Sequence, residues 1–277
     1  MTYLITGGTG QLGTELTELL KSKNIPAVSF SSEEMNILDK EQVKELMMKV
    51  KPTVVFHCAA FTAVDKAEDE QKELNWEVNV EGTKNVAEIC KELNCTFIYI
   101  STDYVFDGET DSEYTEESAV NPINEYGKAK LAGEELVRQL LEKHYIIRTS
   151  WVFGEYGSNF VYTMKRLAQT NKVLTIVNDQ VGRPTWTRTL AEFMIHLIRT
   201  KQEYGTYHLS NDGSCSWYEF AKEILKDEPV EVKPISSKEF PQKARRPKTS
   251  IMSLDKTKKT GFIITHWNDA LHDFLNS

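Results

Sequence analysis

The segment ITGGTGQLGTEL sets Gly7, Gly10 and Gly13 at three-residue intervals, directly after the apolar run YLIT and at the head of a helical pattern. Glycines so placed permit a tight turn, a close approach of backbone to a pyrophosphate, and close packing of helix on strand. The helix that follows offers unpaired N–H groups and the positive end of its dipole to a diphosphate. A strand, turn and helix of this kind predict a dinucleotide-binding unit at the start of the chain.

The next segments keep that rhythm. AVSF, TVVFHCAA, CTFIYIS and YIIRTS read as further strands. They are apolar nearly throughout, as parallel strands covered on both faces are. Gln11 to Lys23, Asp39 to Lys51, Gln71 to Leu93 and Asn124 to Glu142 carry helical periodicity between them. The alternation predicts an α/β fold, a doubly wound parallel sheet of Rossmann type. Beyond Arg148 the rhythm loosens. VLTIV and TYHLS are candidate strands, Ser216 to Lys226 opens with a capping box from Ser216 to Glu219, and KPISSKEFPQKARRPKTS reads as a loop. We therefore expect a dinucleotide-binding domain over residues 1–150. Residues 151–277 should form mainly a smaller substrate-binding lobe over the C-terminal edge of the sheet, with elements at about 173–210 returning to it.

Composition narrows the function classes. The 277 residues are 40% hydrophobic and 27% charged, with a net charge of −8. This is ordinary globular composition, and its acidity argues against a general nucleic-acid binder. No apolar run reaches membrane-span length and no basic, apolar leader pattern is present, so a membrane role is not expected. The four cysteines form no CxxC, which points to reduced thiols and a cytoplasmic setting. The six histidines show no metal-ligand spacing.

In NEYGKAK, Tyr126 lies four residues before Lys130 and two before Lys128. On a helix Lys130 shares the tyrosine's face and Lys128 does not. A phenol with an ordinary pKa of about 10 exchanges protons poorly at neutral pH, and a fixed ammonium beside it favours the phenolate. A charged surface turn would show the same letters, so the surrounding motifs decide. At the end of the second strand, where an acid would hold a ribose 2′-hydroxyl and repel a 2′-phosphate, the chain reads Phe30, Ser31, Ser32, with Glu33 one step late. That favours NADPH and leaves NADH open.

The glycine spacing together with Tyr126 and Lys130 resembles the extended short-chain dehydrogenase/reductase superfamily. Within it, GGTGQLG, AAFTAVDKAE, STDYVFDG, RTSWVFG with NF shortly after, NDQVGRPT and RRPKTSIMSLD resemble the dTDP-4-dehydrorhamnose reductase family across nearly the whole chain. The resemblance implies that Gly10, Gln11 and Leu12 line the pyrophosphate and that Ala59, Ala60 and Thr62 flank the cofactor. Asn36 and Ile37 stand where the family has an Asp-hydrophobic pair that holds the adenine; Asn36 departs from that pattern and lacks the charge. Ser101 and Thr102 end the fourth strand over the nicotinamide. The resemblance makes Tyr126 the proton donor and gives Lys130 two tasks, lowering the tyrosine's pKa and holding the nicotinamide ribose. Thr102 would complete the donors around the developing alkoxide.

Asp103, Trp151, Asn159, Arg183 and Arg246 form the implied nucleotide-sugar set. Asp103 would contact sugar hydroxyls or be structural, and Trp151 would stack on the sugar or be core. The two arginines would hold the diphosphate or be solvated loop residues. Sugar-nucleotide dehydratases of the superfamily carry Thr-Asp-Glu where this chain has Thr102, Asp103 and Tyr104; without that glutamate, ketone reduction is favoured over dehydration. The expected reaction is NADPH-dependent reduction of C4 of dTDP-4-dehydro-β-L-rhamnose. Members of the family are sometimes associated with Mg²⁺, for which no ligand cluster is visible here, and dimers are a family expectation. Two alternatives remain open: a non-catalytic NADP-binding regulatory subunit like the β subunit of methionine adenosyltransferase, and a reductase or epimerase of another nucleotide-sugar.

Overall fold

The computed structural model describes residues 2–240 and 242–276; Met1, Pro241 and Ser277, which fall within the expected domain limits and C-terminal loop, lie outside the described residues. Strands β1 (Tyr3–Thr6), β2 (Ala27–Phe30), β3 (Val54–His57), β4 (Thr96–Thr102) and β5 (His144–Thr149) alternate with helices, beginning with α1 (Gln11–Ser22). With Gly205–His208 they form a six-stranded sheet in the order Gly205–His208, β5, β4, β3, β1, β2. Every pairing is parallel, and β1 takes β2 on one side and β3 on the other. The winding therefore reverses between β1 and β3, which opens a crevice beyond the ends of those strands.

The strand sequences explain why both faces are covered. Successive side chains point to opposite faces. Ile5, Phe56, Ile98 and Ile147 pack with Leu16 and Leu20 of α1 and with Phe193, Met194 and Leu197 of the Thr187–Thr200 helix. Their neighbours Leu4, Val55, Phe97 and Ile146 pack with Val43, Met47, Val86 and Val137 on the other face. A further apolar core unites Phe153, Val161, Phe220, Ile224, Trp267, Leu271 and Phe274 beside the crevice. The Ser216–Glu219 capping box forms and starts the Trp217–Ile224 helix.

Three expectations are corrected. Gln71 to Leu93 is not one helix: Lys72–Trp76 leads into a π-helical segment, Glu77–Gly82, before Thr83–Glu92. There the Asn79 amide donates to Phe61 O at 3.0 Å and to Asn75 Oδ1 at 2.9 Å, while its own Oδ1 accepts from Phe61 N at 3.2 Å. The wider turn thus holds the segment after β3, a use often found for π-bulges. Second, Val173–Val177 does not return to the large sheet but pairs in parallel with Glu231–Ile235. Of residues 173–210, it is the Thr187–Thr200 helix and Gly205–His208 that return. Third, the supposed loop from Lys233 begins as the end of that small-sheet strand and continues as a 3₁₀ turn, Ser237–Glu239.

The Glu125–Leu140 helix is tied to β5 by a buried ion pair. Arg148 donates through Nε to Glu134 Oε1 at 2.9 Å and through Nη2 to Oε2 at 2.8 Å. Neither side chain is more than 2% exposed. Burial opposes the Glu134 charge, but the Arg148 hydrogen bonds and charge outweigh it and hold the carboxyl below its usual range. Breaking a buried pair strands a charge and costs about 3–5 kcal/mol. Arg138 keeps one contact to Glu134 at 2.6 Å. The expected loss for Arg148→Met is therefore at the low end, about 3 kcal/mol in urea unfolding of the unliganded protein, and the Glu134→Leu/Arg148→Met pair should lose less than the sum of its two single changes.

Candidate functional site

A cleft of about 670 Å³ lies over the strand ends at the switch point. Its walls include Gly10, Gln11 and Leu12 from the first turn, Cys58, Ala60 and Thr62 after β3, Ser101, Thr102 and Asp103 at the end of β4, Tyr126 and Lys130, and Trp151 after β5. The glycines divide their work. Gly7 has φ +65° and lies so near Ala59 that a Cβ would sit 2.7 Å from its backbone. A Cβ on Gly13 would meet Gly7 O at 2.2 Å. These two and Ala59 are therefore packing residues behind the turn, and Gly10 is the one on the cleft surface. Phe30, Ser31 and Ser32 follow at the rim, where Gly8 N donates to Phe30 O at 2.7 Å.

The implied adenine pair separates. Asn36 is exposed and its side-chain carbonyl already accepts from Leu38 N at 3.1 Å, while Ile37 is buried in the core. Neither lines the cleft, because the turn after β2 folds Ile37 under Gly82, whose Cβ would be 2.5 Å from it.

Asn124 starts the Glu125–Leu140 helix by accepting from Gly127 N at 2.7 Å. A Cβ on Gly127 would be 2.2 Å from Tyr104 O, so the glycine lets the helix lie directly on the turn after β4. Tyr126 and Lys130 consequently face Ser101 and Thr102 across one wall, whereas Lys128 is exposed and pairs with Glu125 at 2.7 Å. The helix-face expectation holds for these three positions. The Lys130 ammonium stands 4.0 Å from the centre of the Tyr99 ring and forms no ion pair among the described residues. Burial brings its pKa down to about 7, against the pull of Glu134 and Cys58.

The tyrosine is corrected in sign. Burial, then Asp103 and Tyr104, push Tyr126 above the ordinary phenol value, and a hydrogen bond with Thr102 opposes this. Tyr126 is thus firmly protonated at neutral pH. Cys58 carries a thiol that burial pushes up to about 12, in keeping with an inert side chain.

Thr102 and Asp103 are also arranged differently from expectation. The Thr102 hydroxyl donates to Asp103 Oδ1 at 3.0 Å and accepts from Tyr104 N at 3.1 Å, so its proton is not aimed at a substrate oxygen. The second Asp103 oxygen accepts from the Ser250 hydroxyl. Burial raises Asp103 to about 6 despite those two bonds. A carboxylate with both oxygens engaged acts on the fold of the site more than on a sugar.

On the other wall Trp151 stacks on Trp217 with centroids 3.5 Å apart and planes 8° apart. Asn159 does not line the cleft. It caps the Phe160–Ala168 helix and donates to Gln11 Oε1 at 3.1 Å and Gly154 O at 2.8 Å, clasping the second lobe to the glycine turn. Arg183 is buried away from the cleft, donating to Met252 O at 2.5 Å and Glu113 Oε1 at 2.6 Å, since burial demands partners for its charge. Arg246 lies at the edge beside the lining residue Tyr104 and is held by both oxygens of Asp65, at 3.1 and 2.7 Å. Trp217 lines the cleft from outside every quoted motif, and Ser250, within RRPKTSIMSLD, reaches the site although nothing in that motif singles it out. Among the described residues no three of His, Cys, Asp and Glu are placed to hold a metal ion, and no helix is long and apolar enough to cross a membrane.

Known proteins resemble this chain over nearly its whole length. The family model described as the RmlD substrate binding domain matches residues 1–277. The spore coat polysaccharide biosynthesis protein SpsK of Bacillus subtilis is 39% identical over 98% of this chain and 96% of its own. The dTDP-4-dehydrorhamnose reductase of Aggregatibacter actinomycetemcomitans is 37% identical over 97% and 96%. A crystal structure of dTDP-4-dehydrorhamnose reductase from Bacillus anthracis in complex with NADP superposes with a TM-score of 0.95 and 41% identity, covering 99% of this chain and 98% of that one. With its glycine turn, its Tyr126–Lys130 helix face and full-length relatives of this kind, the chain belongs to the RmlD substrate-binding-domain family, among the dTDP-4-dehydrorhamnose reductases.

Proposed function

We propose that this protein reduces the C4 ketone of dTDP-4-dehydro-β-L-rhamnose to the alcohol of dTDP-β-L-rhamnose, using NADPH, with NADH as a second source of hydride. The observation that carries the reading is the convergence of Tyr126 and Lys130, from one helix face, on the end of β4 in a cleft whose far wall is the glycine turn. The residues present fit a dinucleotide. Gly10 brings bare backbone to the surface, with Gly7 O the one atom near its missing side chain, at 3.2 Å, and the Lys130 ammonium enters the space without a carboxylate partner. Gly10, Gln11 and Leu12 would hold the diphosphate at the start of α1. Ala60, Thr62 and Ser101 would flank the nicotinamide half, and Lys130 its ribose. When bound, the cofactor supplies the hydride that adds to C4.

The chain's own part is the proton. Tyr126 is protonated at neutral pH, as a donor in the reducing direction must be. Its O–H bond breaks as the new O–H forms on the C4 oxygen. The phenolate left behind would be stabilised by the Thr102 hydroxyl once its proton turns from Asp103 to the phenol oxygen, a hydrogen bond that favours that form. Trp151 offers a face for the sugar. Tyr104 and the hydrogen-bonded Asp103 leave no acid–base carboxylate pair in the cleft for dehydration. We assign the dinucleotide to residues 1–150 and the nucleotide-sugar mainly to residues 151–277. The free thiols Cys58, Cys90, Cys95 and Cys215 suit a reducing compartment such as the cytoplasm.

Tyr126→Phe should abolish ketone-dependent oxidation of NADPH, followed by its absorbance, while leaving NADPH affinity near that of the parent. Lys130→Ala should damage both, and exposed Lys128→Ala should do little. Equal damage from Lys128 and Lys130 would overturn the helix-face assignment, and NADPH binding without any turnover by the parent would turn the protein into a binding subunit.

The two arginines should part company in calorimetry with dTDP. Arg246→Ala should weaken dTDP binding to the NADPH complex by roughly 10- to 150-fold, the worth of one hydrogen bond to a charged group, and spare NADPH. Arg183→Ala should lower the unfolding temperature while changing dTDP affinity little. If dTDP fails to bind the parent at millimolar concentration, the substrate reading fails.

A further inference from the structure

The serines after β2 leave the position of the ribose-reading acid open in sequence, but folding brings a carboxylate back to it. Phe30 O accepts from Gly8 N at 2.7 Å, and a Cβ on Gly8 would lie 2.0 Å from Ser29 Oγ. The end of β2 is therefore pressed against the glycine turn, and Ser31 is the first residue beyond it. Glu34 Oε2 accepts from Ser31 N at 2.8 Å, and Ser31 Oγ accepts from Glu34 N at 3.2 Å. Met35 N closes the turn on Ser31 O at 3.0 Å. The hydrogen bonds from Ser31 hold the Glu34 carboxyl below its usual range, and no basic side chain takes part.

We propose that Glu34 weakens the preference for a ribose 2′-phosphate enough to admit dinucleotides with a 2′-hydroxyl, which makes NADH the second source of hydride beside NADPH. The proposal rests on the dinucleotide half of the function proposed above. In open α/β folds the group at the end of this strand meets the adenosine ribose; an acid there accepts from the 2′-hydroxyl, and an arginine accommodates the 2′-phosphate. Here a negative charge sits on the Ser31 amide, the donor that a 2′-phosphate would otherwise use, and no arginine is beside it. A 2′-phosphate must displace the carboxylate or bear its repulsion, whereas a 2′-hydroxyl can donate to it. Glu33, one residue earlier and exposed, makes no such bond to Ser31.

Calorimetric titration of NADP⁺ and NAD⁺ into the full chain tests this without the sugar substrate. Glu34→Gln keeps an acceptor for Ser31 N but removes the charge; it should raise the NADP⁺-to-NAD⁺ affinity ratio at least tenfold. Glu34→Ala should do the same, and Glu33→Gln should move the ratio less than twofold. The advantage of Glu34→Gln should shrink as salt rises, since screening weakens repulsion between exposed charges. A ratio unchanged in both Glu34 variants, or an equal shift in Glu33→Gln, overturns the proposal alone. Failure of both nucleotides to bind the parent overturns it together with the dinucleotide reading.

Discussion

The site depends on the buried pair of Glu134 and Arg148. Two lines of structure meet there: the helix that carries Tyr126 and Lys130, and β5, whose end leads into Thr149, Ser150 and Trp151. Such a pair can add little net stability, because desolvation of both charges offsets much of their attraction. Its value here is positional. A forked guanidinium accepts one arrangement of a carboxylate far better than others, so the helix is held against β5 in one rotation. That rotation sends Lys130 inward and Lys128 out. The Glu134 charge also counters, across one helical turn, the burial that drives protons from Lys130.

Around that anchor the cleft is built from groups whose proton positions are already set. Tyr126 keeps its proton, Thr102 gives its own to Asp103, and Asp103 takes a second bond from Ser250. Low local dielectric makes each unmet polar group expensive, and a chain of hydroxyls on one carboxylate meets the demand without a cation. The Ser250 bond brings the C-terminal segment into this chain, so the acid end of the site is assembled from β4, the tyrosine helix and residues near the end of the protein.

What could be read in the letters alone had a period or a fixed short spacing. The apolar runs of β1 to β5, the three glycines and the four-residue step from Tyr126 to Lys130 are local signals, and each reappears in the structure. The misread features lacked such a signal. The letters around Arg183 suit a diphosphate ligand or a solvated loop residue, because its actual partner, Glu113, is 70 residues away. Ser250 meets Asp103 across 147 residues. The Trp151–Trp217 stack joins two apolar patterns, either of which alone suits a core. The break at Glu77–Gly82 comes from Asn79 reaching Phe61, which helical periodicity does not register. The Tyr126 pKa was misjudged because spacing reveals a neighbouring charge but not the depth of burial, and burial dominates.

Trp151 has φ +48°, in a region where a side chain is crowded by its own backbone. That conformation costs on the order of 1 kcal/mol, which glycine would not incur. The indole is then boxed in: Trp217 lies against one face, and a Cβ on Gly182 would fall 2.6 Å from its edge. The stack and the close approach of Gly182 restrain the ring in place. Strain at one residue is thus exchanged for rigidity in the cleft wall, where side-chain entropy was already spent during folding.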